Sequence, residues 1–288
     1  MKKSMIVAAA LLAISAAQAQ TTDTLKKIKD TGTVTMGVRE SSGALSSTIG
    51  NNQFVGFHVD VCQRVLADIQ KQLGLTKPLE IKYQPVTSQN RMPLVQNGTV
   101  DIECGSTTNN ADRQKQVAFA VTTYVAEVRM ATKANSGINS IAQLAGRKLA
   151  TTTGTTSVQY LRRHERANNV NFEELFGKDH ADSFLLLDSG RADAFVMDDY
   201  ILAGNIAKSK NPADFKIVGE VLAIEPIAIM MRKDDPAFKK AVDDSLKAMM
   251  KTDELTKLLA KHGLTPGADT RAAWANPNEK PAEDYAKK

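Results

Sequence analysis

Apolar and polar positions along the chain predict an alternation of strands and helices. In one stretch four apolar side chains recur at every fourth position, as on the core-facing side of a helix. They are Val61, Val65, Ile69 and Leu73. Apolar or alternating runs predict neighbouring strands at residues 33–38, 79–86 and 99–104. This repeating order is typical of an α/β protein in which helices cover both faces of a mostly parallel sheet.

A second series of the same kind begins after Tyr124, and the apolar run from Pro226 to Met231 returns the chain to the first series. The pattern therefore predicts two lobes joined by two extended segments, the second lobe being inserted into the first. The predicted boundaries are residues 20–124 and 227–264 for lobe 1 and residues 125–226 for lobe 2. Residues 265–288 form a polar tail that is either loosely held or wrapped over a surface.

The N-terminus has the three regions of a secretory signal peptide. A basic start, Met1-Lys2-Lys3, precedes an apolar stretch at residues 5–14, which is too short to span a bilayer. Ala17-Gln18-Ala19 then has the small-x-small form of a cleavage site. These features predict a signal peptide over residues 1–19, cleavage after Ala19 and export to the periplasm. The alternative is a buried N-terminal helix.

Charge and aromatic content bear on the kind of partner that the protein binds. Loss of the leader reduces the excess of basic over acidic side chains, because Lys2 and Lys3 leave with it, and only 5% of all residues are aromatic. Scattered charge without interleaved aromatic residues argues against a nucleic-acid partner. Cys62 and Cys104 are an even pair in a chain bound for an oxidising space, so a disulfide is expected, with two buried free thiols as the alternative.

Polar side chains follow several predicted strands at their carboxyl ends, where ligands bind in open α/β sheets. The richest stretch runs from Thr87 to Arg113. Asp198 could instead belong to the N-cap of the next helix, as Asp199 could. The candidates are Arg39, Ser88, Arg91, Ser106, Thr108, Arg113, Thr156, His180 and Asp198. Three arginines with one carboxylate fit a ligand that carries two carboxylates and one ammonium group, which is an acidic amino acid.

An ordered set of motifs resembles the periplasmic amino-acid-binding proteins of ABC importers, most closely their glutamate/aspartate-binding members. The motifs include Val38-Arg-Glu-Ser-Ser42, Thr87-Ser-Gln-Asn-Arg91, Glu103-Cys-Gly-Ser-Thr-Thr-Asn-Asn110, Gly154-Thr-Thr-Ser157, Lys178-Asp-His180 and Met197-Asp-Asp199. The resemblance implies a two-lobed, type II periplasmic-binding-protein fold. It also implies a monomer without cofactor that closes over glutamate or aspartate and docks on the membrane permease subunits of an ABC importer.

The resemblance also implies a role for each candidate. The α-carboxylate would be held by Arg113, Thr108 and Thr156, and the α-ammonium group by Asp198 and Ser106. The side-chain carboxylate would be surrounded by Arg39, Ser88, Arg91 and His180. One departure concerns the segment after the first strand, where the family usually has a proline and aromatic residues and this chain has Gly43-Ala-Leu-Ser46. The cover over the ligand's methylene groups, and with it the preference for glutamate or aspartate, stays open.

An enzyme is the main alternative, such as a dehydratase on the same scaffold, in which His180 with Glu103 or Asp199 would transfer protons. Against it, the sequence shows no recognisable nucleophile, metal cluster or cofactor loop. The four histidines are isolated from one another and from cysteine, which argues against a metal site. A receptor that signals to a sensor when it is loaded is a third possibility.

Overall fold

The computed structural model describes residues 23–285. The predicted signal peptide and its cleavage position after Ala19 lie outside these residues. Within the described part of the chain, no helix combines the length and the apolar character needed to cross a membrane.

Strands and helices alternate along the described chain, as the hydrophobic pattern predicts. The strands are β1 (Thr33–Val38), β2 (Ser41–Ser42), β3 (Ser46–Gly50), β4 (Gln53–Val55), β5 (Glu80–Pro85), β6 (Ile102–Glu103), β7 (Ala118–Phe119), β8 (Tyr124–Lys133), β9 (Lys148–Thr152), β10 (Glu173–Gly177), β11 (Ala194–Asp198), β12 (Phe215–Ile227) and β13 (Met230–Met231). The helices are α1 (Thr24–Thr31), α2 (Phe57–Gln72), α3 (Arg91–Gln96), α4 (Ala111–Gln114), α5 (Thr156–Asn168), α6 (His180–Asp188), α7 (Asp199–Ala207), α8 (Pro236–Met250), α9 (Glu254–Lys261), α10 (Ala268–Ala275) and α11 (Ala282–Tyr285). Two 3₁₀ turns cover Ile141–Leu144 and Pro212–Asp214.

Two five-stranded sheets form the two lobes, in the orders β5-β1-β6-β13-β7 and β10-β9-β11-β8-β12. In each sheet only the fourth strand runs against its neighbours, β13 in the first and β8 in the second. Both sheets are therefore mostly parallel, and the predicted two-lobed α/β fold is confirmed.

The apolar stripe of α2 packs into the core of lobe 1. Val61, Val65 and Ile69 are buried, as the four-residue spacing requires. Cys62 on the same helix forms a disulfide with Cys104, the residue that follows β6. The bridge fixes α2 to the strand end that leads into the candidate site.

The two lobes are connected by the long strands β8 and β12, which pair with each other from Tyr124 and Ile227 onward. The apolar run Phe215-Lys-Ile-Val218 predicts only a short strand here. In the structure β12 continues through Gly219, which lies in a register shift between Val218 and Ala223, and through Pro226, which pairs with Val125. The residue boundaries of the lobes stay a prediction.

Three features were not predicted in the right form. Residues 41–55 contain a three-stranded antiparallel sheet, β2-β3-β4, that the sequence pattern did not show. The strand predicted at residues 99–104 is reduced to β6. Ser88 is of a residue type typical of N-caps and predicts a helix that starts directly after it. The helix α3 instead begins at Arg91 with Asn90 as its N-cap, and Ser88 lines the cavity between the lobes.

The C-terminal tail is wrapped over the connection between the lobes, which was one of the two alternatives. Its two helices, α10 and α11, carry the buried side chains of Trp274 and Tyr285. The indole N–H of Trp274 donates to the carbonyl of Thr123 at 2.9 Å, and the backbone N–H of Val125 donates to the Thr270 hydroxyl at 3.0 Å. The Thr123 carbonyl directly precedes β8 and the Val125 N–H lies within its first two residues, so α10 is attached where this strand leaves lobe 1.

Candidate ligand-binding site

The predicted site residues converge between the lobes because each follows the carboxyl end of a strand or opens a helix. Arg39 follows β1 in lobe 1, while His180 opens α6 and Asp198 ends β11 in lobe 2. Seven of the candidates line one cavity: Ser88, Arg91, Ser106, Thr108, Thr156, His180 and Asp198. The other two, Arg39 and Arg113, contact members of this set. The structure thus brings all of the candidates together.

Gly105 lies between the side chains of Glu103 and Arg39, where there is no space for a Cβ atom. A Cβ at this position would lie 2.1 Å from Oε1 of Glu103 and 2.8 Å from Cγ of Arg39. Only glycine leaves room for the Arg39 side chain to lie beside the loop that carries Ser106.

Arg39 is fully buried and connects the two lobes. Its NH1 donates to Oγ of Ser106 at 3.1 Å, and its NH2 donates to Oδ1 of Asp179 at 2.6 Å. Burial alone would raise the pKa of Asp179, but the Arg39 guanidinium and the hydroxyl of Ser41 outweigh it and lower the pKa to about 2. Sequence reasoning missed Asp179, although it stands beside the predicted His180.

His180 is a neutral side chain in this arrangement. Its Nε2 lies 3.2 Å from NH2 of Arg39 and its Nδ1 lies 3.0 Å from Oγ1 of Thr152. Because a guanidinium can only donate, Nε2 accepts and Nδ1 carries the proton. Burial, reinforced by Arg39, lowers the pKa of His180 to about 3. A histidine with this pKa does not exchange protons near neutral pH, as the dehydratase alternative would require.

Arg91 is a buried cation without a partner. It is 2% exposed, and neither its Nε nor its NH1 has a hydrogen-bond acceptor among the described residues. Burial, with repulsion from Arg113 and Arg39 and partial compensation by Glu103, lowers the pKa of Arg91 to about 9. The hydroxyl of Ser88 is also buried and unbonded within residues 23–285. Together they offer donors to an anion.

Arg113 is held by backbone carbonyls. Its NH1 donates to the carbonyl of Thr108 at 2.9 Å, and its NH2 donates across the lobes to the carbonyl of Gly154 at 3.3 Å. Burial lowers the pKa of Arg113, although the carboxylate of Glu225 opposes the effect. A bidentate carboxylate would give this guanidinium the charged partner that two carbonyls do not provide.

Asp198 is the acidic member of the site. It occupies the N-cap position of α7, but its side chain makes no capping hydrogen bond within the described chain and instead accepts one from the hydroxyl of Tyr200 at 3.0 Å. Burial, and then the neighbouring carboxyl group of Glu225, raise the pKa of Asp198 well above its ordinary value. Asp198 therefore stands at the N-cap position of α7 without capping it by a hydrogen bond, and Asp199 is the first residue of the helix.

The lobes lie against each other around this site. Oγ of Ser41 donates to Asp179, and Nδ2 of Asn205 donates to the carbonyl of Ser41 at 3.2 Å. The enclosed cavity has a volume of about 10 Å³, which is room for roughly one water molecule. An amino acid therefore enters only if the lobes separate or these side chains move.

The glycine of the unusual Gly43-Ala-Leu-Ser46 segment has a steric role. A Cβ on Gly204 of α7 would lie 2.5 Å from Cα of Gly43, so two glycines allow the lobes to approach backbone to backbone. Apolar cover comes from lobe 2, where Met197 and Ile201 line the cavity. Both could have been found from the sequence, since Met197 precedes Asp198 at the strand end and Ile201 lies in the first turn of α7.

Volume alone does not identify the site. A surface cleft of about 410 Å³ lies between α5, β12 and α11, lined by residues such as Tyr160, Arg163 and Val221. It is larger than the cavity between the lobes, but the buried, unpartnered charges converge in the small cavity. We therefore take the small cavity as the candidate site.

Two mostly parallel α/β lobes, joined by two strands and closed over a polar cavity, define a type II periplasmic binding protein. A substrate-binding protein of an ABC uptake transporter from Streptococcus pneumoniae, solved with bound histidine, has the same fold with a TM-score of 0.75 at 18% identity, over 86% of this chain and 99% of that chain. The profile of the bacterial extracellular solute-binding proteins, family 3, matches residues 34–265, and the chain belongs to this family.

Two relatives extend the match over nearly the whole chain. The glutamate/aspartate import solute-binding protein of Escherichia coli K12 is 43% identical over 87% of this chain and 85% of the relative. The L-glutamate/L-aspartate-binding protein of Pseudomonas aeruginosa PAO1 is 42% identical over 90% of this chain and 85% of the relative. The family predicted from the sequence motifs is thereby confirmed.

Proposed function

We propose that the protein captures L-glutamate or L-aspartate between its lobes and delivers it to the membrane permease subunits of an ABC importer. It acts in the periplasm as a monomer without a cofactor, after cleavage behind Ala19. The names of its relatives support this ligand. The observation that carries the proposal is Arg91, a guanidinium buried beside two others without a carboxylate partner among the described residues.

Each end of an acidic amino acid finds complementary groups in the cavity. The α-carboxylate binds Arg113, with the hydroxyls of Thr108 and Thr156, whose Oγ1 atoms lie 3.5 Å apart across the lobes. The α-ammonium group binds Asp198 and Ser106. The second carboxylate binds the group formed by Arg39, Ser88, Arg91 and His180. Closure over the ligand gives the permease a shape that the open protein lacks.

Binding without chemistry fits the protonation states of the site better than catalysis does. A dehydratase would need a group that accepts and returns a proton near neutral pH. His180, with its pKa lowered to about 3, is a weak base that is already committed to Arg39 and Thr152. Turnover of glutamate or of a prephenate-like acid would contradict this conclusion.

Calorimetry with the exported protein tests the assignment. Among the proteinogenic amino acids, only glutamate and aspartate should bind tightly and raise the melting temperature strongly. Arg113→Ala should weaken binding of both by about 100-fold or more, since it leaves a carboxylate buried and unpaired, at about 3–5 kcal/mol. Arg166→Ala, on the exposed side of α5, is the matched control and should bind normally. Unchanged affinity in Arg113→Ala would refute the assignment of this residue.

A further inference from the structure

A second buried carboxyl group stands behind the site, on a strand that connects the lobes. Glu225 lies in β12, two residues before its end, and is completely buried. Its Oε2 accepts a hydrogen bond of 2.9 Å from the hydroxyl of Thr108, which itself lines the cavity. Its Oε1 is also buried and makes no hydrogen bond within residues 23–285, although the hydroxyl of Tyr160 lies close to this carboxyl group. A buried oxygen without a hydrogen bond destabilises the protein unless a proton or a cation lies nearby.

The nearest acidic neighbour of Glu225 is part of the site. The carboxyl groups of Glu225 and Asp198 interact directly, and both are withdrawn from solvent. The other charged or titratable groups around them are Arg113 from α4, Tyr160 from α5, Asp199 and Tyr200 from α7 and Tyr124 from β8. Burial raises the pKa values of the three tyrosines, so they stay neutral. Among these neighbours Arg113 is the one cation, and two adjacent buried carboxyl groups cannot readily both ionise.

We propose that Asp198 and Glu225 act as a carboxyl pair in which Asp198 holds one proton in the free protein and releases it to solvent when the ligand's α-ammonium group binds. The inference rests on the proposed function, because it takes an amino acid as the ligand. The ammonium group keeps its own three protons. Its positive charge allows both carboxylates to ionise, and the displaced proton passes to the buffer. Glu225 acts through Asp198 and Thr108 and is a positioning residue.

The pair makes the affinity depend on pH in a defined direction. The ligand binds the deprotonated pair, so a proton competes with it and the affinity falls as the pH falls. Where the free protein holds this proton completely, the dissociation constant rises by about tenfold for each unit by which the pH falls. Other site groups do not imitate this effect between about pH 6 and 8, because the pKa of His180 is lowered to about 3 and that of Arg91 only to about 9.

Proton release can be counted by calorimetry. The full exported protein is titrated with L-glutamate at one pH, in buffers that differ in ionisation enthalpy, and the slope of the observed enthalpy gives the number of protons. The wild type should release about 0.5–1 proton near neutral pH. Glu225→Gln, which keeps the size and an acceptor for Thr108, should release fewer protons than the wild type, and its affinity should depend less on pH, because burial alone still raises the pKa of Asp198. Glu220→Gln, exposed on the same strand, should match the wild type.

The outcomes separate this inference from the function on which it rests. If the wild type binds glutamate without releasing a proton, or if Glu225→Gln releases as many protons as the wild type, the carboxyl pair is refuted and the proposed function stands. If the wild type binds neither glutamate nor aspartate, both are refuted. The wild-type measurement decides the matter even if Glu225→Gln does not fold.

Discussion

Replacement of Arg91 by methionine should stabilise the ligand-free protein and weaken the binding of acidic amino acids. The guanidinium is 2% exposed, and two of its nitrogens have no acceptor among the described residues. Arg113 and Arg39 repel it, and Glu103 compensates only in part. Methionine fills a similar length with flexible apolar atoms and carries no charge.

The lowered pKa of Arg91 shows that burial, reinforced by Arg113, destabilises its charged form. Replacing buried charges with apolar side chains has stabilised proteins by about 1–4 kcal/mol, which is the expected gain in the free energy of unfolding. The ligand's carboxylate, in contrast, would lose its charged partner in a buried site, which costs about 2–5 kcal/mol of binding free energy. The dissociation constant should therefore rise by about 30-fold to several thousand-fold.

Two measurements on the same sample test this reasoning. Thermal melting of the ligand-free protein should show a higher midpoint for Arg91→Met, while calorimetry with L-glutamate should show weaker binding. Arg147→Met, at an exposed arginine of lobe 2, should change neither. Clear destabilisation of the ligand-free variant would refute the predicted gain in stability, because it would mean that other groups of the protein stabilise the charge of Arg91 without ligand. Full affinity would mean that Arg91 does not face the ligand.

Two further changes test the disulfide and the contact between the lobes. Serine at both Cys62 and Cys104 removes a bridge that spans 42 residues, so unfolding should become easier by about 4 kcal/mol; an unchanged melting temperature would contradict this. Gly204→Val places side-chain atoms where a Cβ already lies 2.5 Å from Cα of Gly43. The lobes should then fail to close, and glutamate should bind at least about tenfold more weakly without the compaction that X-ray scattering should detect in the wild type. Normal compaction would show that the glycine pair does not limit closure.

The sequence predicted the framework well where periodicity is long and failed where elements are short or interrupted. The stripe on α2 is clear because a buried helix face repeats over four turns. The strands β2 to β4 are only two to five residues long and rich in serine and glycine, so no periodicity develops. Pro226 hid the length of β12, yet a proline is tolerated there because β12 is an edge strand of its sheet.

The candidate site could be assembled from strand ends, but its charge states could not. The convergence of Arg39, Arg91 and Arg113 follows from the order of strands along the chain. The neutrality of His180 depends on burial against Arg39, which belongs to another lobe. Glu225 was missed because its strand connects the lobes instead of ending at the site, so its position relative to the cavity emerges only in three dimensions.

The tail that covers the start of β8 has a practical consequence for reagents built on this protein. The indole of Trp274 and the hydroxyl of Thr270 attach the last helices beside the pivot of lobe rotation. Points near a pivot move least when the two halves swing, so a dye fused behind Tyr285 would report little of that motion. A fluorescent sensor needs one label on each lobe instead, for instance at Ile49 of lobe 1 and Leu185 of lobe 2, both of which are well exposed.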